Sequence, residues 1–87
     1  MSSLETQFNN AAEQVKNLSK KPTNDELLNL YGLYKQATVG DNYTAKPAFL
    51  DMKGKAKWDS WDARKNMSKT DAMNTYISFV NQLQKKY

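Results

Sequence analysis

The chain lacks both cysteine and histidine, and these two absences remove much of the common catalytic and metal-binding chemistry. Without cysteine there is no disulfide, thiolate ligand or thiol nucleophile, and without histidine the familiar catalytic triads and zinc sites are excluded as well. No carboxylate pair stands in apolar surroundings that would separate two pKa values. We therefore expect no metal site, no catalytic residue and no cofactor, and we expect the protein not to be an enzyme.

Long apolar runs are also missing. No window approaches the roughly 18 apolar residues of a membrane-spanning helix, and the first ten residues, MSSLETQFNN, contain no basic leader followed by an apolar stretch. We expect a cytoplasmic protein with no stable membrane insertion. The length of 87 residues suits one domain, spanning 1–87, with one modest core. Nothing in the sequence indicates an oligomer interface, so we expect a monomer.

The whole chain has a net charge of +4, and its positive charge is concentrated in the second half. Residues 1–44 contain four lysines and five acidic groups, whereas residues 45–87 contain nine Lys or Arg and four Asp. A basic surplus placed in this way favours an anionic partner, although a solvated, lysine-rich surface explains it equally well.

Apolar residues recur at helical spacing in the first two segments. Ser2 and Glu5 have the spacing of a capping box and predict a helix from about Ser3 to about Leu18. Its apolar positions share an arc of about 120°, which indicates one buried face. They are Leu4, Phe8, Ala11, Ala12, Val15 and Leu18. A second capping box, Thr23 with Glu26, predicts a helix that runs to about Ala37.

The second half predicts two further helices. In the stretch from Thr38 to about Asp51 the apolar residues show no regular spacing, which predicts a long connection. The next segment, MKGKAKWDSWDARK over 52–65, is helical in its spacing, and Asn66 suits a left-handed stop after it. Ser68 with Asp71 gives a third capping signal. Four amphipathic helices with no strand pattern predict an all-α helical bundle.

Helix two carries the first set of candidate binding residues. Leu27, Tyr31, Tyr34 and Lys35 fall within an arc of about 100°, so two phenols and one ammonium project together. A tyrosine ring can stack on a nucleotide base, and the hydroxyl and ammonium can bind phosphate. The alternative is that these tyrosines are half-buried core residues, which is the more frequent role of tyrosines at helical spacing.

Helix three carries the second set, beside Trp58 and Trp61. Lys53 and Lys57 are four residues apart and share a face, whereas Lys55 points elsewhere. Lysines interleaved with aromatic residues are also typical of nucleic-acid binding. Aspartates punctuate the same stretch and would repel a continuous phosphate backbone, so we expect no nucleic-acid partner. A solvated face remains the plain alternative for this lysine run.

Three strings of residues in register resemble one family. YGLYKQATVGD (31–41), KPAFLD (46–51) and KGKAKWDSW (53–61) are similar to the acyl-CoA-binding protein, or diazepam-binding-inhibitor-like, family. The resemblance extends over the whole chain, from KPTNDELL before helix two to AMNTYISFV in the last helix. It implies a single acyl-CoA-binding domain that folds as an antiparallel four-helix bundle, with a long overhand loop between helices two and three.

The resemblance also implies the ligand, an ester of coenzyme A with a medium or long acyl chain. Lys35, Lys57 and the Tyr31 hydroxyl are assigned to the 3′-phosphate region, and Tyr34 and Tyr76 to the adenine and ribose. The full expected head-group set is Lys16, Tyr31, Tyr34, Lys35, Lys53, Lys57 and Tyr76. The family pattern is broken at Ala48 and over 64–66, which are not among these positions.

The acyl tail needs an apolar channel, which we expect where helices one and two meet. The candidate lining residues are Phe8, Ala12, Leu27 and Leu28, and ordinary core packing is the alternative for each. The resemblance implies a high-affinity carrier and pool former that delivers acyl-CoA to enzymes of fatty acid metabolism through transient contacts. Two rival functions stay open: a basic module for nucleic acid or anionic membranes, and a signalling or scaffold role through a protein partner.

Overall fold

The computed structural model describes residues 3–48 and 50–87, and within these ranges it contains four α-helices and no strand. The helices are α1, Leu4–Val15; α2, Asn24–Thr38; α3, Met52–Asp62; and α4, Lys69–Lys86. The predicted all-α four-helix fold is therefore confirmed. The long connection between helices two and three is present as well, from Val39 to Asp51.

Side-chain caps determine where the helices begin. Thr23 and Glu26 form the predicted capping box: the Thr23 hydroxyl accepts from the Glu26 amide at 3.2 Å, and the Glu26 carboxylate accepts from the Thr23 amide at 2.8 Å. Ser68 caps α4 by accepting from the Asp71 amide at 3.0 Å. Asn66 adopts the left-handed conformation expected of it, with φ 77°.

The first helix differs from its prediction at both ends. Ser3 is its N-cap, accepting from the Thr6 amide at 3.1 Å, so the cap is not Ser2, which lies outside the described residues. The helix ends at Val15 rather than Leu18, because the next amides bond to carbonyls three residues back and tighten the last turn. Leu18 still packs against the core.

Helices α2 and α4 form the middle of the packing. α1 and α2 each pack on α4, and α3 packs on α2. In the described part of the chain no Cα atom of α1 comes within 8 Å of one in α2, so the backbones of these two helices do not pack closely. The two helices touch through rings instead, with Phe8 stacked on Tyr34 at 5.4 Å between centroids. The buried core consists of Phe8, Ala11, Leu30, Leu33, Ala37, Ala72, Tyr76, Val80 and Leu83.

Helices α2 and α4 run antiparallel, held by polar contacts at both ends. At one end the buried Gln36 amide donates to the Met67 carbonyl oxygen at 2.7 Å. At the other, Glu26 accepts from the Lys86 ammonium at 3.0 Å and from the Tyr87 hydroxyl at 2.6 Å. These contacts, with the Tyr87 hydroxyl contributing most, lower the pKa of Glu26 to about 2. The paired ends fix the register of α2 on α4.

Two tryptophans of α3 hold the long connection against the fold. The Trp61 indole nitrogen donates to the Gly40 carbonyl oxygen at 2.8 Å, and the Trp58 nitrogen donates to the Thr44 hydroxyl oxygen at 3.0 Å. Gly40 has φ +96°, which favours glycine over any residue with a Cβ atom. The connection leads to α3, which packs on α2.

Candidate functional site

The first groove lies between α2 and α3 and has a volume of about 350 Å³. It is lined by Asn24, Leu27, Leu28, Tyr31, Met52, Lys53, Ala56 and Lys57. We call it the acyl-sized groove. Leucine, methionine and alanine side chains give it an apolar surface, and the two lysines stand on its α3 side. A groove of this composition suits a ligand with one apolar part and one anionic part.

A second groove of about 360 Å³ adjoins the first. It is lined by Val15, Lys16, Leu27, Leu30, Tyr31, Tyr34 and Tyr76, and we call it the aromatic groove. Leu27 and Tyr31 line both grooves, so the two spaces meet at these side chains. The molecule therefore carries two neighbouring concave surfaces, one with an apolar lining and one rich in phenol rings, with Leu27 and Tyr31 common to both.

A glycine allows α2 and α3 to approach closely enough to form this surface. A Cβ atom at Gly32 would lie 2.5 Å from the Ser60 carbonyl oxygen, which is closer than real Cβ contacts. The Ser60 hydroxyl donates to the Leu28 carbonyl oxygen at 2.5 Å and ties the helices at the same level. The close crossing places the side chains of α3 opposite those of α2.

Lys57 and Tyr31 meet where the two grooves join. The Lys57 ammonium lies 5.5 Å from the centroid of the Tyr31 ring, within the range of a cation–π interaction. Lys53 lines the acyl-sized groove one turn earlier on α3. The structure thus brings together three of the predicted head-group residues, and it places two ammonium groups where an anion entering the groove would meet them.

The aromatic groove has a buried wall and an accessible one. Tyr76 is 3% exposed and contacts the Phe8 ring edge-on at 5.0 Å, whereas Tyr34 is 42% exposed. Burial, reinforced by the neighbouring Tyr34, raises the pKa of Tyr76 to about 12. The Tyr76 phenol is therefore protonated at neutral pH and keeps its O–H group as a hydrogen-bond donor. Tyr34 offers the larger open ring surface.

The remaining two predicted cations have different surroundings. Lys16 lines the aromatic groove, exposed, with its ammonium 3.3 Å from the Glu13 carboxylate. Lys35 lines neither groove: its ammonium lies 4.8 Å from the centroid of the Trp61 ring. Lys35 would have to leave that ring to reach a ligand held beside Tyr31 or Tyr34.

The predicted tail residues divide into two pairs. Leu27 and Leu28 line the acyl-sized groove. Phe8 is 2% exposed within the core and Ala12 packs against the same core, and neither lines either groove. The separation follows from the packing, because α1 rests on α4 and its inner face is covered there.

Sequence reasoning missed five lining residues: Asn24, Met52 and Ala56 in the acyl-sized groove, and Val15 and Leu30 in the aromatic groove. A signal for two of them was available, because Met52 and Ala56 are four apart and flank Lys53 and Lys57 on the same helix. Asn24 is the first residue of α2 and carries no spacing that marks it.

A third groove, of about 480 Å³, lies at the start of α1 and α4 and contains none of the predicted site residues. Its lining is Ser3, Leu4, Glu5, Lys69, Thr70 and Met73. Over 3–48 and 50–87, no helix combines the length and the apolar character needed to cross a membrane. The same residues include no group of three or more acidic side chains arranged to hold a metal ion.

Comparisons with known proteins agree with this architecture. Residues 5–80 match the family model described as "Acyl CoA binding protein". The chain is 58% identical over 81 residues to an acyl-CoA-binding protein homolog of Drosophila melanogaster, covering 93% of this chain and 94% of that one. It is 54% identical over 80 residues to acyl-CoA-binding protein homolog 1 of Caenorhabditis elegans, covering 92% and 93% of the two chains.

Solved structures show the same fold. Acyl-CoA-Binding Protein 2 of Oryza sativa superposes with a TM-score of 0.92 at 43% identity, covering 97% of this chain and 93% of that chain. The Moniliophthora perniciosa protein gives 0.88 at 41% identity, with coverage of 99% and 83%. Fold and grooves together define a small, all-α protein with an amphiphilic grooved surface. With these relatives, the chain belongs to the acyl-CoA-binding protein family.

Proposed function

We propose that this chain binds medium- and long-chain acyl-CoA esters with high affinity and acts as an intracellular carrier and pool former for them, without chemical catalysis. Membership of the family supports acyl-CoA as the ligand. The observation that carries the proposal is that an apolar groove and an aromatic groove lie side by side and share Leu27 and Tyr31. An acyl-CoA has the matching division into an apolar tail and a polyanionic, aromatic head.

The head group belongs at the aromatic end and at the junction. Coenzyme A carries a 3′-phosphate and a pyrophosphate, so Lys57, Lys53 and Lys16 are the cations within reach of these anions. Lys35 joins them by moving from the Trp61 ring. Charge-assisted hydrogen bonds contribute roughly 1.5–3 kcal/mol each, so a few lysines suffice for specific recognition. Tyr34, with its open ring, is the better stacking surface for adenine.

The tail belongs in the acyl-sized groove, along Leu27, Leu28, Met52 and Ala56. Burial contributes about 0.8 kcal/mol per methylene, so enclosing about fourteen of them yields a gross gain of roughly 11 kcal/mol before ordering costs. Even half of this gain would make an acyl-CoA bind far more tightly than free coenzyme A. Specificity would then come from the lysines and tyrosines, and most of the affinity from the tail.

The carrier role follows from this division. A bound ester has its tail removed from water and its thioester away from any acid–base pair, so it is held unchanged until it dissociates. We propose a cytoplasmic monomer with no cofactor, which meets acyl-CoA-using enzymes only transiently. Delivery would be set by the dissociation rate and not by a stable complex.

Titration calorimetry with palmitoyl-CoA, free CoA and palmitate tests the proposal. We expect palmitoyl-CoA to bind at least 100-fold more tightly than free CoA, because even about a quarter of the gross tail contribution is roughly 2.7 kcal/mol. Palmitate should bind weakly because it lacks the phosphates. Equal affinity for all three ligands, or no binding of palmitoyl-CoA, would contradict it. A steep salt dependence with any polyanion and no preference for chain length would favour the basic-module alternative.

A further inference from the structure

The beginning of α2 supplies much of the wall of the acyl-sized groove but takes no part in the buried core. Asn24, Leu27 and Leu28 line this groove, and Leu27 lines the aromatic groove as well. None of the three belongs to the core cluster, and Leu27 is 36% exposed. Packing into the core therefore does not fix where these side chains stand, and another contact has to hold this part of the helix.

The Glu26 side chain ties the beginning of α2 to the end of α4. Its carboxylate accepts from the Tyr87 hydroxyl at 2.6 Å, from the Lys86 ammonium at 3.0 Å and from the Thr23 amide at 2.8 Å. Exposed ion pairs contribute little, but the Glu26 side chain is only 15% exposed and Tyr87 packs against the core. One sheltered carboxylate thus connects the cap of α2 to the last turn of α4.

We infer that Glu26 and Tyr87 are positioning residues for the acyl tail, whose contact holds Leu27 and Leu28 at the wall of the acyl-sized groove. Neither Glu26 nor Tyr87 lines any of the three grooves, so both act through their neighbours. The Leu27 amide donates to the Thr23 carbonyl oxygen at 2.9 Å, and Thr23 is bonded to Glu26 in the capping box. A displacement of Glu26 therefore moves Leu27 with it.

The head-group side of the site is held separately. Tyr31 and Lys57 stand beside the close crossing of Gly32 and Ser60, which fixes α3 on α2 independently of Glu26. Loosening the beginning of α2 should therefore disturb the wall for the tail more than the cation at the junction. The inference rests on the proposed function, and it identifies the contact that sets the preference for an acyl-CoA over free CoA.

Titration calorimetry of the wild type and Tyr87→Phe with palmitoyl-CoA and with free CoA tests the inference. Tyr87→Phe removes one hydroxyl and changes no charge, so the attraction for phosphates is unaltered. We expect palmitoyl-CoA to bind about 4- to 15-fold more weakly, the equivalent of one or two methylenes that lose their contact. Affinity for free CoA should stay within twofold of the wild type, because the tail wall does not touch it.

Two control variants separate positioning from a general loss of stability. In Tyr43→Phe the lost hydroxyl also donates to a carboxylate, that of Asp41 at 3.4 Å, but Tyr43 lines none of the three grooves. Ser68→Ala removes the N-cap of α4, which likewise lines no groove. Both should bind each ligand within twofold of the wild type. Amide hydrogen exchange at Leu27 should be faster in Tyr87→Phe than in either control.

Three results would overturn the inference while the wild type binds palmitoyl-CoA. The first is an unchanged affinity of Tyr87→Phe for palmitoyl-CoA. The second is an equal weakening of palmitoyl-CoA and free CoA, which would assign the effect to the whole site. The third is a similar loss in Ser68→Ala, which would assign it to stability. Failure of the wild type itself to bind palmitoyl-CoA would instead contradict the proposed function.

Discussion

Lys57 and Tyr31 belong to different helices and stand 26 positions apart in sequence, yet the Lys57 ammonium lies 5.5 Å from the centroid of the Tyr31 ring. The close crossing of α2 and α3 at Gly32 and Ser60 makes this contact possible. It places a cation beside the residue shared by the acyl-sized groove and the aromatic groove. We expect the phosphates of the ligand to lie next to this cation, with the acyl tail beyond them.

Replacing Lys57 by alanine should weaken palmitoyl-CoA binding by roughly 10- to 150-fold, the equivalent of one charge-assisted hydrogen bond. Lys55→Ala is the control, because Lys55 lies on the same helix but lines neither groove. Calorimetry should find the control within twofold of the wild type. Equal losses in both variants would show that the overall charge, and not the position of Lys57, attracts the ligand.

Removing the Trp61 indole nitrogen should loosen the long connection. Trp61→Phe removes the N–H group that donates to the Gly40 carbonyl oxygen at 2.8 Å. Because Trp61 is buried, the loss should lower the free energy of unfolding by about 1–3 kcal/mol. Trp58→Phe removes a bond to Thr44 at a more exposed position and should cost about 0.5–1.5 kcal/mol. Urea unfolding measures both. A larger loss in Trp58→Phe would contradict this ranking.

Gly32→Ala should destabilise the fold although alanine favours a helix by about 1 kcal/mol. The new methyl group would meet the Ser60 carbonyl oxygen at 2.5 Å, and backbone atoms cannot swing away. Overpacking costs typically 1–3 kcal/mol, so we expect a net loss of about 1 kcal/mol in urea unfolding, together with weaker palmitoyl-CoA binding as α3 shifts. A more stable variant would show that α2 and α3 separate easily.

Stability should depend on pH through Glu26. Its pKa is lowered from the ordinary 4.5 to about 2, mainly by the Tyr87 hydroxyl. Because the folded-state pKa is the lower one, the ionised carboxylate stabilises the fold above about pH 4.5, and this contribution is lost as pH falls from 4.5 towards 2. The difference in unfolding free energy between wild type and Glu26→Gln should therefore shrink over that range.

Tyr87→Phe tests the hydrogen bond between the Tyr87 hydroxyl and the Glu26 carboxylate from its other side. Without the phenol hydroxyl, the Glu26 pKa should move up towards its ordinary value, and acid unfolding should begin at a higher pH than in the wild type. Acid titration followed by circular dichroism measures the midpoint. Identical acid midpoints in the two proteins would mean that the hydrogen bond between Tyr87 and Glu26 does not contribute to stability.

Local signals in the sequence predicted most of the fold. The Thr23 and Ser68 caps and the left-handed Asn66 depend on residues within a few positions of each other, and each is present as expected. The end of α1 was misplaced because the apolar period continues to Leu18, although the hydrogen-bond pattern tightens at Lys16. The spacing of apolar residues indicates which side chains are buried. It does not indicate where the pattern of backbone hydrogen bonds changes.

The site was less predictable because it depends on how helices cross. Tyr31 and Lys57 were named as ligand residues, but their proximity follows from the Gly32 crossing, which no local pattern reveals. Phe8 and Ala12 were expected in the tail channel where α1 and α2 meet, but α1 packs on α4 and touches α2 through the Phe8 and Tyr34 rings. Met52 was overlooked although its spacing from Ala56 was visible. The binding roles of all these residues stay predictions.

The most direct test of the central claim is an amide chemical-shift titration of the ¹⁵N-labelled protein with palmitoyl-CoA. We expect the largest shifts along the two joined grooves, at Leu28, Tyr31, Ala56 and Lys57. The third groove serves as an internal comparison, since its volume of about 480 Å³ exceeds that of either joined groove. Shifts concentrated at Leu4, Thr70 and Met73, with none at the junction of Tyr31 and Lys57, would contradict the account.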